Sequence, residues 1–139
     1  MNPASPALID QLAAAVGDRA RVLTEPTDLA PYGFDGTAAL RQRPACVVFP
    51  RTTDEVAQCL RAAHAAGTPV VTRGSGTGLS GGSVPVAGCV VLCTVEMNQV
   101  FELDERNLTI RVEPGVITQT VDQLAAKVGL FYPPDPGSQ

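Results

Sequence analysis

Six glycines lie among the twenty residues from Pro69 to Gly88, and many of their neighbours are small or carry hydroxyl groups. Each glycine increases the entropy of the unfolded chain, so a dense cluster lowers the stability of the fold. Such a cluster indicates that the loop requires a backbone free of side chains. Successive backbone N–H groups in such a loop can converge on an anion, and the hydroxyls of Ser75, Thr77 and Ser83 add donors. The stretch therefore predicts a phosphate-binding loop. The alternative is a flexible connection, although most connections have only about 4–6 residues.

Two better-known phosphate loops fit this stretch poorly. Residues 76–81 match the dinucleotide fingerprint G-x-G-x-x-G, and Glu96 lies at the distance where that fingerprint expects an acid. The fingerprint needs a helix that begins inside the motif, so that the helix N-terminus meets the pyrophosphate. Here Gly-Ser-Val-Pro follows at residues 82–85, which disfavours a helix, and no Lys-Ser or Lys-Thr completes a Walker loop. We expect no helix in residues 74–88; a helix beginning near Gly78 would favour a Rossmann-type nucleotide-binding module.

Other chemically active side chains are few. Arg73, at the start of the loop, either neutralises a phosphate or is a solvated arginine at a strand end, and His64 is the only histidine. None of the four cysteines forms a C-x-x-C pair, and Cys89 and Cys93 would lie about 13 Å apart along a strand, too far for a disulfide or a shared zinc. We expect buried, reduced thiols, no metal site and no catalytic residue in this chain.

Composition narrows the class of protein. The 139 residues carry a net charge of −4, which argues against nucleic acid as the main partner because phosphate backbones need a basic surface. No apolar run approaches the ~18 residues of a membrane-spanning helix, and the first residues lack the pattern of a signal peptide. The sequence therefore predicts a cytoplasmic protein with one modest domain and no membrane span.

The elements that hold the loop follow from hydrophobic periodicity and capping signals. We expect helices over residues 6–16, from the Thr52–Glu55 capping box to Gly67, and over about 118–128. Their predicted inner faces are, in order, Leu8, Ile9, Leu12 and Val16; Val56, Cys59, Leu60 and Ala63; and Val121, Leu124, Ala125 and Val128. Apolar runs predict strands at 45–49, 69–73, 89–95, 100–103 and 108–112. This order indicates an α+β layer structure.

The stretch from Val70 to Ser83 resembles the pyrophosphate loop of the FAD-linked oxidases of the vanillyl-alcohol oxidase type, also called PCMH-type FAD domains. Within that family it is most similar to the flavin subunit of glycolate oxidase and to D-lactate dehydrogenases. Four other pieces resemble the family in the same order along the chain: Pro50–Val56, Met97-Asn98, Val112–Val116 and Pro133–Ser138. The resemblance spans residues 45–139 well and the first 44 loosely.

The resemblance implies the first subdomain of a PCMH-type FAD-binding domain, a small mixed sheet packed with helices, with the second subdomain and the cap domain absent from residues 1–139. It implies FAD as cofactor and oxidation of a small 2-hydroxy acid by hydride transfer to the flavin. Carried over by position, the cofactor-binding residues are Gly74, Ser75, Gly76, Thr77, Gly78, Leu79, Gly82, Ser83, Pro134, Asp135 and Ser138. Tyr32 and Asp35 resemble a family segment that we interpret as structural.

Some family members attach the flavin through a histidine in this loop, but the loop here has no histidine, so we expect noncovalent FAD. The alternative to part of an enzyme is a non-catalytic truncated fragment whose apolar faces another chain covers. Other oxidase subunits or a second copy of the chain are the expected protein partners. Glu113 and Asp135 are the carboxylates nearest the matching motifs, and we interpret both as structural or cofactor-contacting.

Overall fold

The computed structural model describes residues 4–37 and 39–134. The chain divides into two compact units, Met1–Glu96 and Met97–Gln139, which are described separately. Asp135 and Ser138, two of the predicted cofactor-binding residues, lie outside the described residues. No helix in the described ranges is long and apolar enough to cross a membrane.

The first unit begins with helix α1, Pro6–Val16, as predicted. The Ser5 side chain accepts a hydrogen bond from the Leu8 amide at 3.2 Å, and Gly17 ends the helix at φ +69°. Because glycine has no Cβ, it adopts this left-handed conformation without a steric penalty. The predicted inner face is buried in the core.

The second long helix of this unit differs from its prediction in two details. After the short helix α2, Pro26–Leu29, helix α3 covers Thr53–Ala65, and the Thr52 hydroxyl accepts from the Glu55 amide at 3.1 Å. The Glu55 carboxylate does not complete the capping box, because it accepts from the Arg51 amide at 2.7 Å instead. Leu60 is 43% exposed, so its predicted place on the inner face is wrong. Cys59 and Ala63 are the buried residues of α3, and Val56 packs half-buried against the same core, whereas Leu60 lies about 100° around the helix from Cys59.

A four-stranded sheet forms the centre of the first unit. Its strands are β1, Val22–Leu23; β2, Cys46–Val48; β3, Val70–Arg73; and β4, Val90–Cys93. Their order is β1-β2-β4-β3, with β1 antiparallel to β2 and the other pairs parallel. Separate apolar clusters cover the two faces, which explains why β2 and β4 are continuous apolar runs. All four cysteines are buried and free, as predicted.

The second unit contains a hairpin and a helix. Strands β5, Val100–Asp104, and β6, Thr109–Val112, pair antiparallel around a turn, and helix α4 covers Thr118–Lys127. The Asp104 carboxylate holds the turn by accepting from the amides of Arg106 and Asn107. Val121 is buried, but Val128 follows the end of α4 and is 37% exposed, so its predicted inward position is wrong.

Candidate functional site

The glycine-rich loop connects the neighbouring parallel strands β3 and β4. No residue from 74 to 88 is helical, which confirms the prediction and removes the Rossmann alternative. Glu96 is also not placed as a ribose ligand, because its carboxylate pairs with Arg51 at 2.6 Å and with Arg21 at 3.8 Å. Gly76, at φ +78°, takes a conformation that disfavours other residues. Gly78 does not have a positive φ.

The start of the loop forms one wall of an open cleft of about 640 Å³ in the first unit. Its lining includes residues 74–77 of the loop and residues 31, 32 and 34–36 of the N-terminal part of the chain. Arg73, Cys93 and Val95 complete the lining. The cleft therefore brings together four of the predicted cofactor-binding residues: Gly74, Ser75, Gly76 and Thr77.

Arg73 is buried, with only 8% of its surface exposed, so the interpretation as a solvated arginine is wrong. Its guanidinium donates to the Phe34 carbonyl at 2.6 Å, and its carbon lies 5.4 Å from the centre of the Tyr32 ring. None of the ion pairs among the described residues includes Arg73. The lining thus contains one buried cation, Arg73, which donates to backbone carbonyls, and one carboxylate, Asp35.

The N-terminal lining residues belong to a segment, residues 31–37 and 39–42, which we call the brace. Its Asp35 carboxylate accepts from the Thr37 amide at 2.8 Å and from the Ser83 hydroxyl at 3.3 Å. The Thr37 hydrogen bond is the main reason why the pKa of Asp35 lies below its ordinary value. These contacts agree with the structural role predicted for Asp35. The hydroxyl of Ser83 is therefore hydrogen-bonded to the brace.

The backbones of the brace and the loop also approach each other closely. A Cβ atom at Gly36 would lie 2.9 Å from the Gly78 carbonyl oxygen and 3.0 Å from that of Thr77. A Cβ atom at Gly76 would lie 2.0 Å from Nη2 of Arg73. Two glycines are therefore required for packing, one in each segment.

The other predicted site residues that the structure describes in the first unit do not line the cleft. Gly78, Leu79, Gly82 and Ser83 follow it along the loop, and Leu79 is 79% exposed. Pro134 is an exposed residue of the second unit. In that unit the Glu113 carboxylate accepts from the Gln99 amide at 2.8 Å, as expected for a structural role. Sequence reasoning missed Pro31, Phe34 and Gly36 as cleft residues, because no side-chain chemistry marks them.

Comparison with known proteins agrees with this geometry. A family model described as "FAD binding domain" matches residues 44–139. The chain is 46% identical over 107 residues to glycolate oxidase subunit GlcD of Bacillus subtilis, covering 77% of this chain and 23% of that protein. It is 33% identical over 124 residues to D-lactate dehydrogenase of Anaerostipes hadrus, covering 89% of this chain and 25% of that protein.

A solved structure shows the same fold. p-Cresol methylhydroxylase with bound substrate aligns with a TM-score of 0.75 at 23% identity, covering 88% of this chain and 24% of that one. The predicted fold class, a PCMH-type α+β arrangement with small sheets, is confirmed. The chain spans about a quarter of the length of the curated relatives described here.

Proposed function

We propose that this chain, which belongs to the FAD-binding domain family, holds the pyrophosphate of FAD with its glycine-rich loop. The observation that carries the proposal is the cleft lined by residues 74–77, where the helix-free loop leaves open space beside the Gly74 backbone. Backbone N–H groups of the loop would supply the donors for the phosphate oxygens.

The loop residues fit a phosphate ligand sterically and chemically. A Cβ atom added at Gly74 or Gly78 would meet nothing within 4 Å, so open space adjoins the backbone at both positions. A ligand can approach the main chain there more closely than it could approach a longer side chain. Ser75 and Thr77 contribute hydroxyl groups. We also propose cofactor contacts for the remaining predicted residues, which the family resemblance assigns by position: Leu79, Gly82, Ser83, Pro134, Asp135 and Ser138.

We propose that the complete protein oxidises a small 2-hydroxy acid, the class of substrate named for the relatives glycolate oxidase and D-lactate dehydrogenase. Bound FAD would accept the hydride, whereas residues of this chain would bind and orient the cofactor. We propose that FAD is noncovalently bound, because residues 74–88 include neither histidine nor cysteine. Residues 1–139 would form the first subdomain of the FAD domain, and further oxidase subunits are proposed partners because one relative is itself named as a subunit.

Calorimetric titration of the purified chain with FAD, ADP and riboflavin tests the pyrophosphate proposal. ADP contains the pyrophosphate without the flavin ring, and riboflavin contains the ring without phosphate. We expect FAD and ADP to bind with similar dissociation constants, above about 1 μM because the cleft encloses only part of the cofactor. Riboflavin should show no binding. Binding of riboflavin without binding of ADP would contradict the proposal, and FAD binding well below 1 μM would show that this chain holds more of the flavin than proposed.

A further inference from the structure

We infer that Arg73 is a positioning residue, which fixes the glycine-rich loop by fastening it to the brace and does not contact the ligand itself. The inference rests on the proposed function, since it assigns how the phosphate-binding loop keeps its shape. The brace, residues 31–37 and 39–42, precedes the region matched by the FAD-binding family model, which begins at residue 44. A segment outside that region would thus determine the geometry of the cofactor loop.

The contacts of Arg73 run to both sides of the cleft. On the brace side its terminal nitrogens lie 2.6 Å from the Phe34 carbonyl oxygen, 3.4 Å from that of Pro31 and 3.5 Å from that of Tyr32. On the loop side Nη2 lies 3.5 Å from the Ser75 carbonyl oxygen. The planar guanidinium offers five donors in a fixed fork, so it can serve several carbonyls at once.

The burial of Arg73 argues against direct contact with a phosphate. Its Nε has no hydrogen-bond partner among the described residues and is inaccessible to solvent, so a ligand in the cleft does not reach it. Both terminal nitrogens face backbone carbonyls. Gly76 packs directly against Nη2 of Arg73, because a Cβ atom added at Gly76 would lie only 2.0 Å from that nitrogen. Both terminal nitrogens therefore face main chain of the two segments that the side chain joins, and the guanidinium also lies near the Tyr32 ring.

Two further contacts fasten the same segments without using Arg73. The Ser83 hydroxyl donates to the Asp35 carboxylate at 3.3 Å, near the far end of the loop. The α carbon of Gly36 lies close to the carbonyls of Thr77 and Gly78. Gly36→Ala would therefore push the brace from the loop without any change of charge, and it serves as an independent test of the same contact.

Amide hydrogen exchange of the chain without ligand tests the positioning role directly. The amides of Thr37, Gln42 and Val84 each donate a hydrogen bond within the brace or the loop, so their exchange reports local opening. Val91, in β4, reports the core of the same unit. The variants are Arg73→Lys, which keeps the charge, Arg73→Met, which keeps only an apolar stem, and Gly36→Ala. The control is Arg61→Met, the loss of an exposed arginine from α3.

We expect exchange at Thr37, Gln42 and Val84 to become about tenfold faster in all three variants, with Val91 changing less than about threefold. Arg61→Met should leave all four amides unchanged. FAD affinity, measured by the titration above, should fall at least about tenfold in both Arg73→Lys and Arg73→Met. A lysine ammonium keeps the charge but not the fork, so equal losses identify geometry as the cause.

Three results would overturn the inference. Arg73→Lys with wild-type FAD affinity, beside a loss in Arg73→Met, would assign Arg73 a purely electrostatic role. Unchanged exchange rates at Thr37, Gln42 and Val84 in the variants would show that Arg73 does not hold the loop against the brace. An equal acceleration at Val91 would show that the variants destabilise the whole first unit. If Arg73→Met does not fold, Arg73→Lys and Gly36→Ala decide. Failure of the unchanged chain to bind FAD or ADP would refute the proposed function, while the exchange result would still test the contact between loop and brace.

Discussion

Gly76→Ala should destabilise the first unit far more than Gly78→Ala, although both glycines belong to the same loop motif. Gly76 has φ +78° and backs onto the Arg73 guanidinium, with a new Cβ only 2.0 Å from Nη2. Gly78 has no positive φ and has open space at the corresponding position. The two glycines therefore provide a matched comparison within one loop.

The magnitude follows from two costs and one gain. An alanine in the left-handed region costs about 1–2 kcal/mol. Displacing Arg73 breaks its 2.6 Å hydrogen bond to Phe34, and a bond to a charged group is worth about 1.5–3 kcal/mol. Reduced entropy of the unfolded chain returns about 0.4–1 kcal/mol. We expect the free energy of unfolding to fall by about 2–4 kcal/mol in Gly76→Ala and to change by less than about 1 kcal/mol in Gly78→Ala.

Urea unfolding, followed by NMR through the amide signals of β2 and β4, measures this difference in the first unit alone. With a urea dependence of about 2 kcal/mol per molar, the middle of the usual range, the midpoint of Gly76→Ala should fall by roughly 1–2 M. A Gly76→Ala midpoint equal to that of the unchanged chain would refute the close packing of Arg73 under the loop. A large fall in Gly78→Ala would refute the open space assigned to that position.

Three further predictions concern titration and reactivity. Burial raises the pKa of Glu55, but hydrogen bonds from Arg21 and the Arg51 amide outweigh it and hold the pKa below 4.5. The stabilisation from the Glu55 carboxylate should be complete above pH 4.5 and should be lost as the pH falls through the lower pKa of the folded state. The urea midpoint should therefore depend less on pH in Glu55→Gln than in the unchanged chain. Burial raises the pKa of Cys46 to about 12 and that of Cys59 to about 11, so iodoacetamide should label these thiols quickly only in urea, and rapid labelling at pH 8 in the folded chain would contradict their burial. Acid precipitation of the complete protein should leave all flavin in the supernatant, whereas a yellow pellet would contradict noncovalent binding.

Local signals in the sequence predicted most of the framework of the fold. Ser5 and Gly17 mark the ends of α1 because capping chemistry depends on a few neighbouring residues. The apolar runs predicted β2 and β4, which are buried on both faces. The glycines and Pro85 predicted that the β3–β4 connection has no helix. These inferences succeed because each depends on backbone preference or periodicity within one segment.

The brace and the burial of Arg73 could not be predicted in the same way. The position of Arg73 at the end of β3 is the same as that of many solvated arginines, so the sequence does not indicate its burial. Its hydrogen-bond acceptors are the backbone carbonyls of Pro31, Tyr32 and Phe34, about forty positions away. Main-chain oxygens are present at every position, so the sequence does not mark which of them accept a distant donor. The exposure of Leu60 has a related cause, since the width of the packed helix face depends on which element covers it.

NMR titration of the ¹⁵N-labelled 139-residue chain with FAD tests the central claim most directly, because it locates the ligand at single amides. We expect progressive shifts concentrated at residues 74–78, at the start of the glycine-rich loop, and we expect ADP to shift the same amides. Shifts confined to the second unit, or no shift at millimolar FAD, would contradict the claim that this loop binds the pyrophosphate.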